Sequence, residues 1–330
     1  MNLMDDERVE KMIAAGRAIV DAAIAEYKPV AIVAAYSSGD DSIVSTHFGM
    51  TTYGAHGCRV FNADTMVGLR PSREHLKAVC ERYGWPLEIG QAIAEGPPSQ
   101  MLIPRDDGSR KQMKVLFDPA KLPAGRWLDG ETAYEEMVLN YGFPGPGMHP
   151  IAYRRLKERP IGRMLRQLGC GAGVGKPRVL IVSGIRHDES SRRAGYRCAT
   201  AEGNFGDVWA NPFYWQTAAD FEAYRQEFGL PRNPVKRACG ISGECCCGAF
   251  GDSIAERVAY RKVDPAFADY LDQLEQRVKA NGFPWGWAER PPRWWMRLKQ
   301  DQKTGQKSLF DDLEESTFQP MCVGCNNGRR

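Results

Sequence analysis

Six of the ten cysteines fall in two tight groups, "CGISGECCCGAFG" (Cys239, Cys245, Cys246, Cys247) and "MCVGC" (Cys322, Cys325). Thiolates hold zinc or iron–sulfur clusters from closely spaced pairs, because the ligands must converge on a small centre from short turns. Three adjacent cysteines cannot all face one centre. Four ligands are therefore drawn from the six, with Cys239, Cys247, Cys322 and Cys325 preferred and Cys245 as the substitute. A metal held this way pins the C-terminus back onto the body. Cys58, Cys80, Cys170 and Cys198 lie among apolar or mixed neighbours and read as small buried hydrophobes.

A second chemistry is anion binding. The stretch "AIVAAYSSGDDSIVSTHF" runs from a β-branched segment into small hydroxyls and a glycine. At such a strand-to-helix turn, unpaired backbone N–H groups point outward, Ser37, Ser38 and Ser42 can donate hydrogen bonds, and Gly39 permits close approach of a phosphate. Asp40 and Asp41 look hostile to an anion unless one of them holds Mg²⁺ that bridges to the phosphates; plain helix capping is the alternative. Gly184, Arg186, Ser190 and Arg193 in "SGIRHDESSRR" form a second array after another strand, and arginine's planar fork suits phosphate or sulfate oxygens.

The elements that must position these groups alternate. "PVAIVAAY", "RVFNAD", "PLEIGQAI" and "RVLIVSGI" read as strands, and "PSREHLKAVCERYGW" as a helix, which predicts an α/β fold with a doubly wound, mostly parallel sheet. In such a sheet ligands bind at the carboxyl ends of the strands, where both arrays fall. The N-terminal 27 residues read as a helix, 28–238 as the nucleotide-binding domain and 239–330 as a cysteine-rich C-terminal extension of helical and irregular structure. A Pro- and Gly-rich insert separates the third and fourth strands. Helices are also expected from Thr217, and from Asp264 and Pro265 to Gly282.

At 330 residues and a formal net charge of +3, the chain is large enough for a substantial core but not basic enough to bind a polyanion through bulk charge. Nucleic-acid contact would need a local patch, and "ERPPRWWMRLKQDQKTGQK" offers one, interleaving Arg290, Arg293, Arg297, Lys299 and Lys303 with Trp294 and Trp295. These tryptophans serve equally well as packing under a loop. No window has the roughly twenty apolar residues that span a bilayer, and the N-terminus lacks a signal-peptide pattern, so the expectation is a cytoplasmic protein without a membrane partner.

In order and approximate spacing, "SSGDDS", "FNADT", "GIRHDESSRR" and "NPFYWQTAADFEAYRQEFGLPRNPV" resemble the phosphoadenosine phosphosulfate (PAPS) reductase family, within the adenine-nucleotide ATP pyrophosphatase (PP-loop) superfamily, over roughly residues 28 to 248. The resemblance implies the PAPS reductase, adenine nucleotide alpha hydrolase-like fold. Residues 37–42 would bind the phosphates, Asp64 and Thr65 would line the nucleotide pocket, Arg186 and Arg193 would hold the anionic end, and Lys157 in "HPIAYRRLKERPI" would be a further phosphate ligand. It also favours a four-iron four-sulfur cluster over zinc. The family loop is usually Ser-Gly-Gly-Lys-Asp-Ser, so Ser38 and Asp40 replace a glycine and a lysine. The reductases' Glu-Cys-Gly-Leu-His tail is replaced by "CVGCNNGRR".

Two enzymatic expectations follow from the resemblance. The first is an iron–sulfur enzyme similar to the ATP pyrophosphatases of DNA phosphorothioation or tRNA thiolation. It would bind ATP with Mg²⁺, release pyrophosphate and pass an activated nucleic-acid acceptor to sulfur delivered by a donor protein such as a cysteine desulfurase, with Asp41, Lys157, Arg186 and Arg193 as the catalytic set. The second is a sulfonucleotide reductase that releases sulfite from APS or PAPS, its nucleophile being an unliganded member of the cysteine run or Cys198. A non-catalytic nucleotide sensor is the third reading.

Overall fold

A computed structural model describes residues 3–97, 122–171, 175–189, 194, 199–252 and 254–296. After a long first helix, α1 (Leu3–Tyr27), the apolar run "AIVAA" forms β1 (Ala31–Ala35), followed by α2 (Asp40–Tyr53) and β2 (Arg59–Asp64). The amphipathic stretch after it is α3 (Arg70–Arg82), then β3 (Leu87–Gln91). The insert contributes α4 (Ala133–Tyr141), α5 (His149–Tyr153), a π-helical turn (Arg154–Glu158) and α6 (Arg159–Gln167) before β4 (Val179–Val182).

Two short strands not expected from the sequence, β5 (Thr200–Glu202) and β6 (Asp207–Ala210), complete a six-stranded sheet. Its order is β3-β2-β1-β4-β6-β5, and every pair is parallel except β5 with β6. The fold is the expected doubly wound, mostly parallel α/β sheet. Alternation along β1 shows why: Ile32 and Ala34 face the core beneath α1, α2 and α3, whereas Val33 faces the other side with Phe61, Ile181 and, from α6, Met164 and Leu165. β4 is buried along its whole length, as a central strand covered on both faces must be.

Downstream lie α7 (Ala218–Glu227), α8 (Pro234–Cys239), α9 (Ala255–Val263) and α10 (Pro265–Ala280). The Thr217 hydroxyl caps α7 and the Asp264 carboxylate caps α10, the latter accepting from the Phe267 N–H, as those sequence signals predict. A third core joins α4 to α10 through Tyr134, Val138, Leu271, Leu274, Trp285 and Trp287, so the cysteine-rich part packs directly on the insert. No helix among the described residues is long and apolar enough to cross a membrane.

One buried titratable group links this packing to pH. His47 of α2 lies 2.9 Å from the Tyr224 hydroxyl, among the rings of Tyr83, Trp85 and Phe228. Burial pulls its imidazole down from the ordinary 6.5 to about 4. The unfolded chain therefore binds a proton that the folded chain refuses, and the stability this contributes is complete above pH 6.5 and is lost as pH falls toward 4. Urea unfolding at pH 7.5 and 4.5 should show a smaller acid loss in His47→Gln, which keeps a hydrogen-bonding side chain but does not titrate; equal losses would exclude His47 as the sensor.

Candidate active site

Strands β1 and β4 are neighbours, yet the chain leaves them in opposite directions across the sheet. At such a switch point the loops beyond the carboxyl ends diverge and open a crevice. A cavity of about 430 Å³ opens there. Its walls come from the 35–42 and 181–189 segments, α5 to α6, and the 240–251 loop that carries Cys245, Cys246 and Cys247. Val33, Phe61, Ile161, Met164, Ile181 and Trp209 give it an apolar flank.

The first strand-end loop is self-braced. The Ser42 hydroxyl accepts from the Gly39 N–H at 3.0 Å and donates to the Gly39 carbonyl at 2.9 Å, and the Ser37 hydroxyl lies 3.1 Å from it. Gly39 packs towards the Ser242 side chain, 3.9 Å from where a Cβ would stand. Ser37, Gly39 and Ser42 line the cavity. Ser38 does not: at φ +61 its hydroxyl turns inward to donate to the Ser72 carbonyl at 3.0 Å.

Asp40, in the place where a lysine was missed, is buried and ringed by cations. Its Oδ2 lies 3.4 Å from Arg225 Nη1, 3.7 Å from Arg232 Nη1 and 3.7 Å from Lys236 Nζ, while its Oδ1 accepts from the Asn233 N–H at 3.3 Å. Asp41 is held by Arg186 at 3.1 Å, and Arg186 also donates to Asp188 at 3.0 Å and lies over the Phe221 ring. Both carboxylates are thus paired with guanidinium groups, and Asp41, which lines the cavity, is the one with an oxygen donor set open to a cation such as Mg²⁺. The arginine array reaches the cavity through Gly184 and Arg186. Gly184 is required by contact, since a Cβ there would meet the Asp41 carbonyl at 2.7 Å. Ser190 and Arg193 lie outside the described residues, as do Cys198, Cys322, Cys325 and the patch beyond Met296.

Asp64 and Thr65 are beside the cavity rather than in it. The Thr65 hydroxyl donates to the Glu244 carbonyl at 2.8 Å, and the Asp64 carboxylate accepts from the Met66 N–H at 2.9 Å. Asp64 instead lines a neighbouring cleft of about 350 Å³ with Arg70, Arg73 and Lys77. Glu244 borders both spaces.

Lys157 reaches the cavity from the π-helical turn, a widened coil frequent at functional sites. Its ammonium donates to the Glu244 carboxylate at 3.0 Å. Burial works against the charged lysine, but Glu244 and the Cys245 thiol beside it more than offset this and raise its pKa. Burial pushes the Glu244 carboxyl up against the pull of Lys157. Glu244, not expected from the sequence, is held here by the Thr65 hydroxyl on its carbonyl and by Lys157 on its carboxylate.

The 240–248 loop is fixed through its backbone. The Ser242 carbonyl accepts from the Ser72 hydroxyl at 2.7 Å and from the Asn233 amide at 2.8 Å, and the Gly243 carbonyl from the Leu69 N–H at 2.8 Å. Trp287 Nε1 donates to the Cys246 carbonyl at 2.8 Å and the Tyr134 hydroxyl to that of Cys247 at 3.0 Å, while the Cys246 N–H donates to Val67 at 2.8 Å. Gly68 must lack a Cβ because the Glu244 carbonyl would stand 2.5 Å from it.

The thiols in this loop differ. Burial drives Cys246 well up and raises Cys239. Cys245 moves the other way, to about 7: a hydrogen bond with Cys247 and the charge of Lys157 outweigh its burial. Alkylation of reduced, metal-free protein, followed by peptide mass spectrometry, should therefore show Cys245 half-reactive near pH 7, with Cys239 reacting only above its ordinary 9.0. Equal pH profiles would remove the distinction. Among the described residues no group of three or more histidine, cysteine or acidic side chains is arranged to hold a metal ion. Cys239, Cys245 and Cys247 do not by themselves close a cluster site.

Fold and site together define a doubly wound α/β protein with a strand-end cavity that joins an anion-type loop to a thiol-bearing loop. No protein-family model matches the chain, and no curated protein matches it. Among solved structures it is similar to a phosphoadenylyl-sulfate (PAPS) reductase from Candida auris, solved as a phosphate complex, at a TM-score of 0.40 and 14% identity, covering 72% of this chain and 92% of that one.

Proposed function

We propose that the chain is an enzyme that binds an adenine nucleotide in the β1–β4 crevice and activates an acceptor for sulfur incorporation, with release of pyrophosphate. The observation that carries this reading is that one cavity is lined both by the strand-end loop, through Ser37, Gly39 and Ser42, and by Cys245, Cys246 and Cys247. Phosphate recognition and sulfur chemistry then share a single space. Ser37, Ser42 and the first-turn amides of α2 would meet the phosphates, and Arg186 and Lys157 would balance their charge. The apolar flank of Val33, Phe61, Met164 and Ile181 suits a nucleobase.

In this reaction an oxygen of the acceptor attacks the α-phosphorus of ATP and pyrophosphate leaves; sulfur then displaces the adenylate. The charge on the departing pyrophosphate falls to the basic side chains of the cavity. A four-iron four-sulfur cluster would use cysteines of both groups, and zinc is the alternative occupant; neither is assigned a step. A nucleic-acid acceptor and a protein sulfur donor are the corresponding partners.

A second reading, sulfonucleotide reduction, is favoured by Cys245. A cavity-lining thiol lowered to about 7 is a ready nucleophile for the sulfate sulfur of APS or PAPS. The sulfur–oxygen bond to the nucleotide would break, the nucleotide phosphate would leave, and attack by a second thiol on Cys245 would release sulfite and form a disulfide.

Protein purified without oxygen, assayed with Mg·ATP and separately with APS and PAPS, tests both readings. Pyrophosphate, increased by nucleic acid, supports sulfur activation and excludes reduction. Sulfite does the reverse. Neither product from protein that binds nucleotide would leave a sensing role.

A further inference from the structure

Three cations line the cavity, and each stands beside a carboxylate, but not on equal terms. Lys157 is hydrogen-bonded to Glu244 at 3.0 Å. Arg186 is buried and bonded to both Asp41 and Asp188, at 3.1 and 3.0 Å. Lys236, from the first turn of α8, reaches only to 3.7 Å from Asp40, and 42% of its side chain is exposed.

The carboxylate it reaches is already supplied. Asp40 accepts from the Asn233 N–H and pairs at 3.4 Å with Arg225, which is buried and needs a counter-charge more than an exposed lysine does. Arg232 shares Asp40 but is satisfied by Glu222 at 2.6 Å, and Arg225 also bonds Glu222. Three cations are thus set against two carboxylates, leaving one positive charge in excess beside the first turn of α2. Of the three, Lys236 alone borders the cavity.

We infer that Lys236 is an anion-binding residue of the cavity, held over the 37–42 loop by Asp40 and passed to the distal tetrahedral oxyanion of a bound nucleotide. That group is a phosphate in ATP or a sulfate in a sulfonucleotide. The transfer costs little. Asp40 keeps Arg225 and the Asn233 N–H when the ammonium leaves, and a lysine's flexible stem lets its charge follow the ligand. Asp40 acts as a positioning residue that reaches the ligand through Lys236. The inference rests on the nucleotide reading of the cavity.

Its test is titration calorimetry of the full chain with ATP, APS and adenosine, comparing wild type with Lys236→Met, Lys236→Arg and Arg232→Met. Loss of one charge-assisted contact corresponds to an affinity about tenfold lower. Lys236→Met should weaken ATP or APS, whichever the wild type binds, by about tenfold and leave adenosine unchanged; Lys236→Arg should restore most of the loss. Arg232→Met, which removes a cation of the same cluster away from the cavity, should bind like wild type. ATP and APS affinities unchanged in Lys236→Met would overturn the inference and leave the nucleotide reading standing, as would a loss extending equally to adenosine. A wild-type chain that binds none of the three ligands overturns both.

Discussion

Asn233→Ala is expected to destabilise the protein by about 3 kcal/mol, the largest loss from any single polar truncation considered. This one amide, 1% exposed, joins three segments far apart in the chain. Its Nδ2 donates to the Ser38 carbonyl at 2.8 Å and to the Ser242 carbonyl at 2.8 Å, and lies 3.2 Å from the Ser72 hydroxyl. Its Oδ1 caps α8 by accepting from the Val235 N–H at 2.8 Å. Alanine removes the cap, worth about 1 kcal/mol, takes the amide donor from the buried Ser38 carbonyl, costing about 1 kcal/mol or more, and leaves the half-buried Ser242 carbonyl with only the Ser72 hydroxyl. For a chain of this size the melting temperature should fall by roughly 4 °C. Asn233→Asp, which retains the cap but loses the amide donors, should fall at least as far. A loss under about 1 kcal/mol in a thermal or urea melt of Asn233→Ala would show that the three segments hold together without this amide.

Arg186→Ala is expected to cost more in binding than in folding: about a hundredfold in nucleotide affinity, or about 2.7 kcal/mol. The guanidinium lies over Phe221 and bonds two carboxylates, Asp41 and Asp188, at the end of β4. Removing it subtracts a positive charge from the cavity and also uncovers two negative ones, so a phosphate meets repulsion where it met a balanced cluster. Arg186→Lys should recover little, because one ammonium cannot reproduce a fork that bonds two carboxylates at once. Affinity measured by calorimetry at 0.05 and 0.5 M salt checks the origin of the effect: screening should narrow the gap between wild type and Arg186→Ala. A gap that ignores salt would point to lost shape instead.

The strands that make the crevice were legible because their central residues are buried on both faces, which leaves a continuous apolar signature in "AIVAA" and "VLIV". The caps at Thr217 and Asp264 were legible because a cap is a local event, complete within four residues. β5 and β6 were not, since strands of three and four residues carry too little pattern to be told from loop. The site was half legible for the same reason. Two loops at neighbouring strand ends could be paired from the logic of the sheet alone, and Gly39, Ser42, Gly184 and Arg186 stand where that logic puts them. What surrounds Asp40 could not be read, because Arg225, Arg232 and Lys236 lie nearly two hundred residues away and only folding brings them to it. Ser38 was expected at the ligand for its hydroxyl, and Asp64 and Thr65 from the family resemblance; in the structure all three make hydrogen bonds to backbone groups.

From Ser242 to Cys247 the main chain of the cysteine loop is held by partners on other segments, the side chains of Thr65, Ser72, Tyr134, Asn233 and Trp287 and the backbone of Val67 and Leu69. These contacts are made by the backbone of the loop, so its path is expected to be the same whatever its cysteines carry, and chelator-treated and untreated protein should melt alike.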